Sequence, residues 1–181
     1  MTEDPSSCGP NLYLVGFMAS GKTTVGRNAA RKLGFQFIDT DQAIEEKVGK
    51  PIAEVFETDG ETAFRAMERE FIESGHPASG CVVSCGGGLV IPPGMAELVA
   101  EKGIAICLSA TPETILERTR GHTNRPLLNV PNPEARIRAL LAERSHRYQA
   151  VGNVLSTDDR TMQEVTAHVL RVYRDACPES D

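Results

Sequence analysis

The stretch Gly16-Phe17-Met18-Ala19-Ser20-Gly21-Lys22-Thr23 constrains the fold more than any other part of the chain. It follows Leu12 to Val15, a short apolar run that reads as a buried strand. It precedes a helix over Thr23 to Lys32, where Val25, Ala29, Ala30 and then Leu33 recur at helical intervals. A glycine-bearing loop at such a junction turns its N–H groups inward, and the first helical turn adds its own unbonded N–H groups and positive dipole end. Phosphate is the matching ligand. In this pattern Lys22 reaches the terminal phosphates as a point charge and the Thr23 hydroxyl binds Mg²⁺. A glycine-rich structural turn is the bland alternative, and the flanking strand and helix weigh against it.

Composition narrows the class. The chain has 181 residues, enough for one compact domain with a substantial core. A net charge of −6 argues against a nucleic-acid surface or an anionic membrane as partner, so any anion must be caught locally. No apolar run approaches the roughly 18 residues of a membrane span, and the acidic opening Met1-Thr2-Glu3-Asp4-Pro5 is unlike a basic targeting signal. A cytoplasmic protein is expected. The five cysteines form no CxxC pair; Cys81 and Cys85 on one strand stand roughly 13 Å apart, too far for a disulfide or shared zinc. Buried thiols are expected.

Beyond the first helix the pattern alternates. Gly34 is placed as a helix stop, followed by a strand at Phe35 to Asp39 and helices at about Asp41 to Val48, Pro51 to Glu57 and Glu61 to Ser74. A strand at Cys81 to Cys85, a triple-glycine turn, a helix near Gly94 to Lys102 and a strand at Ile104 to Ser109 come next. Thr111 to Thr119 reads as helix, Gly121 to Pro133 as a loop long enough to serve as a lid, and Glu134 to Val151 as a charged helix. A short strand near Val154 and a helix from Met162 to Ala176 close the chain. Five strands interleaved with helices predict an α/β fold, a three-layer arrangement with a five-stranded parallel sheet covered on both faces. One domain is expected over 1–181, with a helical segment at about 41–75 and the lid at about 119–133.

Three constellations add chemistry. Asp39 and Asp41 lie at the carboxyl end of the second strand, where open α/β sheets bind ligands; two residues apart on a strand, both carboxylates can face one cavity. Asp39 suits the Mg²⁺ shell and Asp41 an alcohol, although Asp41 could equally cap the following helix. Arg65 and Glu68 are one helical turn apart, for which an ordinary ion pair is the default. Gly86-Gly87-Gly88 after an apolar strand leaves bare backbone against which a ligand can lie, or else a flexible turn.

Taken together, the phosphate loop, Asp39-x-Asp41, Phe64-Arg65-x-x-Glu68, Gly86-Gly87-Gly88 and Arg125-Pro126-Leu127-Leu128 resemble shikimate kinases, in order and spacing, from about Leu12 to Thr157. Pro51 to Phe56 and Gly60-Glu61 add to the likeness. The resemblance implies ATP and shikimate as substrates, Mg²⁺ as cofactor and a monomer. It implies that Gly16, Ala19, Ser20, Gly21, Lys22, Thr23, Thr24 and Arg125 hold ATP, with Arg118 packing on the adenine ring and Thr23 and Asp39 holding the metal. Asp41, Arg65, Arg144 and the backbone of Gly86, Gly87 and Gly88 would bind shikimate, and Lys22, Asp41 and Arg125 would carry the catalysis. The residue types agree: planar charged forks suit a carboxylate, and an acceptor suits a hydroxyl. A gluconate-type kinase needs the phosphate loop and sheet without this whole set; a nucleotide sensor or scaffold would bind ATP and phosphorylate nothing.

Two departures stand out. Ala19 occupies a loop position where the family often has glycine, with a modest change of nucleotide affinity expected, and Cys85 beside the glycines suggests inhibition by thiol reagents. His76, His122, His146 and His168 show no ligand spacing and are expected at the surface.

Overall fold

The structure is a computed structural model that describes residues 9–120 and 130–177. Its elements are β1 (Asn11–Val15), α1 (Lys22–Leu33), β2 (Gln36–Asp39), α2 (Thr40–Val48), α3 (Ile52–Thr58), α4 (Gly60–Ser74) and β3 (Cys81–Ser84). They continue as α5 (Met95–Lys102), β4 (Gly103–Ser109), α6 (Pro112–Thr119), α7 (Pro133–Gln149), β5 (Asn153–Ser156) and α8 (Met162–Ala176). Every expected element is present. Arg125 and most of the expected lid, 121–129, lie outside the described residues.

The five strands form one parallel sheet in the order β2-β3-β1-β4-β5. The connection leaving β1 runs to the β2 side, whereas the one leaving β3 runs to the β4 side. Neighbouring strands therefore send their loops in opposite directions, which opens a crevice at the carboxyl ends of β1 and β3. The pairing reaches to that edge, where Cys85 N donates to Leu14 O at 2.9 Å.

Strand alternation builds a core on each face. Leu12, Leu14, Val82, Ile106 and Leu108 meet Val25, Ala29, Val165 and Val169 of α1 and α8. Tyr13, Val15, Val83 and Cys107 meet Phe71, Val99, Ile115, Ile137 and Leu140 on the opposite face. A small separate cluster of Ile44, Val55 and Phe64 joins α2, α3 and α4 into one unit. Each buried aliphatic side chain contributes about 1.5–3 kcal/mol, so the sheet edge that carries the crevice is the rigid part of the molecule. Helix ends follow the sequence signals. Gly34 and Gly49 adopt φ of 71° and 73° and close α1 and α2, while Thr161 and Glu164 form a capping box on α8.

His76 departs from the surface role expected of it. It lies in the α4–β3 loop half-buried, its ring centroid 5.7 Å from Tyr13 and 5.1 Å from Phe71, with Nε2 3.2 Å from Tyr13 Oη. Burial pushes the Tyr13 hydroxyl up to about 12, so it remains a donor and gives the histidine a packing task. His122 lies outside the described residues. Among the described residues no helix is long and apolar enough to cross a membrane.

Candidate active site

A cleft of about 1400 Å³ opens over the carboxyl ends of β1, β2 and β3 and gathers most of the singled-out residues. Its walls include Ala19, Gly21, Lys22, Thr23, Thr24, Asp39, Asp41, Arg65, Gly86, Gly87, Gly88, Arg118 and Arg144.

One end is the loop between β1 and α1. Gly16 has φ 135°, and a Cβ there would collide with the Leu108 carbonyl oxygen, so the loop can pass β4 only as glycine. Lys22 lies buried, its Nζ donating to Gly16 O at 2.9 Å and Phe17 O at 2.8 Å, which holds the ammonium across the loop. Ser20 Oγ is buried inside the loop with no hydrogen-bond partner, an unusual state for a hydroxyl and one that an anion in the cradle would relieve. Ala19 takes φ 58°, the left-handed conformation, which accounts for glycine being at ease in this position. Arg118 ties the loop to the segment after β5: its guanidinium donates to Ala19 O at 3.2 Å, Thr157 Oγ1 at 2.9 Å and Thr157 O at 3.0 Å. The Asp158 carboxylate is spent on Thr111 and Ser156, a clip between β5 and α6 rather than a base-reading group.

Between the two ends stand Thr23 and Asp39. Thr23 Oγ1 donates to Asp39 Oδ2 at 3.3 Å and lies 3.5 Å from Ser84 Oγ. These are hard oxygen donors. Among the described residues no group of three or more His, Cys, Asp or Glu converges as a metal cage, so the set fits an ion that keeps waters and phosphate oxygens, as Mg²⁺ does.

The strand argument for the two aspartates needs correcting. Asp39 ends β2 and Asp41 already belongs to α2, so helical geometry, not strand alternation, sends Asp41 into the cleft. The cap is Asp39, whose Oδ1 accepts from Asp41 N at 3.2 Å. Asp41 is left for other work. Burial, then the nearby Asp39 charge, raises its carboxyl to about 6, against a partial pull from Lys22. A Cβ on Gly86 would strike Asp41 Oδ1, and one on Gly88 would stand 2.8 Å from the Arg65 guanidinium nitrogens. The glycines are therefore a fitted floor rather than a loose turn. They are pinned from both sides, with Gly86 N donating to Thr40 Oγ1 at 2.8 Å and Tyr148 Oη donating to Gly87 O at 2.5 Å.

Arg65 makes the ion pair that was its default, with Glu68 at 2.7 Å, and a second with Glu61 at 3.0 Å. It still lines the cleft, so the pair and the site are not alternatives. Glu68 is 1% exposed; burial raises its carboxyl to about 7, and Arg65 pulls it back toward the charged form. Arg144 Nε is buried with no hydrogen-bond partner, a donor held ready at the wall opposite α4.

Ser84, Thr40 and Tyr148 are site residues to which the sequence reading gave no role. Ser84 and Tyr148 are adjacent to motifs that were noticed, but nothing in spacing alone separates them from ordinary core polar groups. Cys85 is buried with its thiol pushed up by burial, so the expected thiol sensitivity has little support. Cys81, Cys85, Cys107 and Cys177 form no disulfide, the first three being buried as expected.

Comparison with known proteins gives the family. The sequence model described as shikimate kinase matches residues 18–174. The shikimate kinase of Thermodesulfovibrio yellowstonii is 40% identical over 163 residues, covering 90% of this chain and 94% of that protein. The solved structure of the Acinetobacter baumannii shikimate kinase in complex with shikimate superposes with a TM-score of 0.84 at 36% identity, covering 92% and 93% of the two chains. A gluconokinase from Sinorhizobium meliloti has a TM-score of 0.57 at 16% identity over 92% and 95%, a likeness of fold alone. The family model and these relatives span most of the chain, and the protein belongs to the shikimate kinases.

Proposed function

We propose that the protein transfers the γ-phosphoryl group of MgATP to the 3-hydroxyl of shikimate, giving shikimate 3-phosphate and ADP. The observation that carries this reading is that one cleft joins the Lys22 phosphate loop to a pocket of Asp41, Arg65 and Arg144 over a glycine floor.

In this reading the loop N–H groups from Gly16 to Thr24 cradle the phosphates. Lys22 exchanges its two carbonyl partners for phosphoryl oxygens, and Ser20 gains the partner it lacks. Thr23 and Asp39 hold Mg²⁺, which supplies charge compensation on the phosphoryl oxygens. Arg118, fixed by Ala19 and Thr157, offers its flat face to the adenine ring. Arg65 and Arg144 take the shikimate carboxylate from two walls, Glu68 holding Arg65 in orientation. Gly86 to Gly88 let the ring lie against the backbone. Asp41 accepts a hydrogen bond from the attacking hydroxyl, and a carboxyl raised to about 6 is ionised at neutral pH yet basic enough to take that proton. Arg125 completes the charge around the transferring group. Catalysis is then alignment and electrostatics, with little covalent chemistry asked of the protein.

ADP release from MgATP with shikimate, with gluconate and with no acceptor tests this directly. Release that depends on shikimate, with little background, is expected. ATP binding without release under any acceptor would replace the reading with a nucleotide sensor, and gluconate-dependent release would replace the acceptor.

A further inference from the structure

Arg136 was not among the residues that the motifs single out, and it stands at the cleft. It lines the cleft from α7 and is exposed, and among the described residues its side chain has no hydrogen bond or ion pair. Two residues along, Arg138 has the same charge but is held by Glu113 and Glu134, away from the cleft. The contrast on a single helix makes Arg136 an unspent charge.

Helical spacing says where that charge acts. Arg136, Leu140, Arg144 and Tyr148 follow one another at intervals of four along one ridge of α7. Tyr148 is anchored on the cleft floor through Gly87 O, and Arg144 sits one turn above it. Arg136 is eight residues from Arg144, about 12 Å along the axis, which places it at the mouth. Two acidic residues line the same cleft, Glu57 exposed on α3 and Glu61 exposed on α4, the latter paired with Arg65.

We infer that Arg136 captures the acceptor's carboxylate at the cleft mouth and hands it down the ridge to Arg144, favouring anionic over neutral ring alcohols. The inference rests on the proposed acceptor. Arg136 acts on approach rather than on the seated molecule, so its effect belongs in kcat/KM for shikimate and is screened by salt.

The test is steady-state kinetics of the full chain and three variants, Arg136→Ala, Arg138→Ala and Glu57→Gln, with shikimate and with its uncharged carboxamide. Arg136→Ala should lower kcat/KM for shikimate about 2–5-fold at low ionic strength, with kcat and the KM for ATP unchanged, and the loss should fade as salt shortens the screening length. The carboxamide should show no such loss. Arg138→Ala should match the parent, and Glu57→Gln should move kcat/KM the opposite way. Equal behaviour of the two arginine variants would overturn the inference. So would a fall in kcat, or a shared loss in Arg136→Ala and Glu57→Gln, which would mark an ionic clasp between α3 and α7. A parent protein that ignores shikimate in the same assay would sink the acceptor reading and this one with it; an active parent with a silent Arg136→Ala sinks this one alone.

Discussion

At the glycine-loop end of the cleft the charged side chains of Lys22 and Arg118 are fastened to main-chain carbonyls of the loop, whereas the arginine end gathers charged side chains of both signs from α2, α4 and α7. The first end holds its cation against carbonyls, Lys22 on Gly16 and Phe17. The second holds carboxylates against burial, with Asp41 raised to about 6 and Glu68 to about 7. A backbone cradle tolerates side-chain change and is nearly indifferent to pH near neutrality. A pocket of half-desolvated charges is intolerant of both, because each group's energy depends on its neighbours keeping theirs.

Asp41→Asn breaks the comparison hardest. Loss of an acceptor for the reacting hydroxyl should lower kcat about 10²- to 10⁴-fold. Stability should move the other way. The folded carboxyl binds its proton more tightly than the unfolded chain, where the ordinary value is 3.8. Asp41 therefore costs nothing below about pH 4, where it is protonated in both states, and destabilises progressively as pH rises through about 6. The variant should melt above the parent at pH 8 and level with it at pH 4. A Tm difference that does not change with pH would remove the buried-charge account. In the parent, kcat/KM for shikimate should fall on an acid limb near pH 6.

Arg65→Ala tests the same end through a cation. Losing a fork to a buried carboxylate should cost roughly 2–5 kcal/mol of productive shikimate binding, with ATP binding almost intact. It also leaves Glu68, 1% exposed, without the Arg65 guanidinium that pairs with it. The melting temperature should fall as well, most at high pH where Glu68 is ionised. Equal losses for both substrates would contradict the division of the cleft into two ends.

The same division explains what was legible beforehand. The loop from Gly16 to Thr23 is contiguous, and its strand and helix are local, so periodicity and turn chemistry reach it without tertiary information. The sheet follows because each strand is a short apolar run between helical repeats. The arginine end is assembled from positions 41, 65, 86–88 and 144, and no local rule joins them; family resemblance did. Where residue-level reasoning was applied there it placed the pieces for the wrong reason, as with strand alternation for Asp41, or left a choice open, as with the Arg65–Glu68 pair that proves to be both ion pair and cleft wall. Thr40 and Tyr148 escaped because a buried polar group declares its partner only once the chain is folded.

The mildest change sharpens the contrast from the loop side. Ala19 holds φ 58°, so a side chain is carried in a conformation that costs L-residues about 1–2 kcal/mol relative to glycine. Replacing it by glycine removes that strain but frees the unfolded chain, which returns about 0.4–1 kcal/mol. The two effects oppose, and Ala19→Gly should leave stability unchanged or raise it by up to about 1.6 kcal/mol. Its carbonyl, which accepts from Arg118, is retained, so nucleotide binding should change less than about threefold. Urea melts and ATP titration of the variant check both. A large loss of ATP affinity would mean that the methyl group of Ala19, and not the loop backbone, shapes the nucleotide end, and the two halves of the cleft would then be built alike.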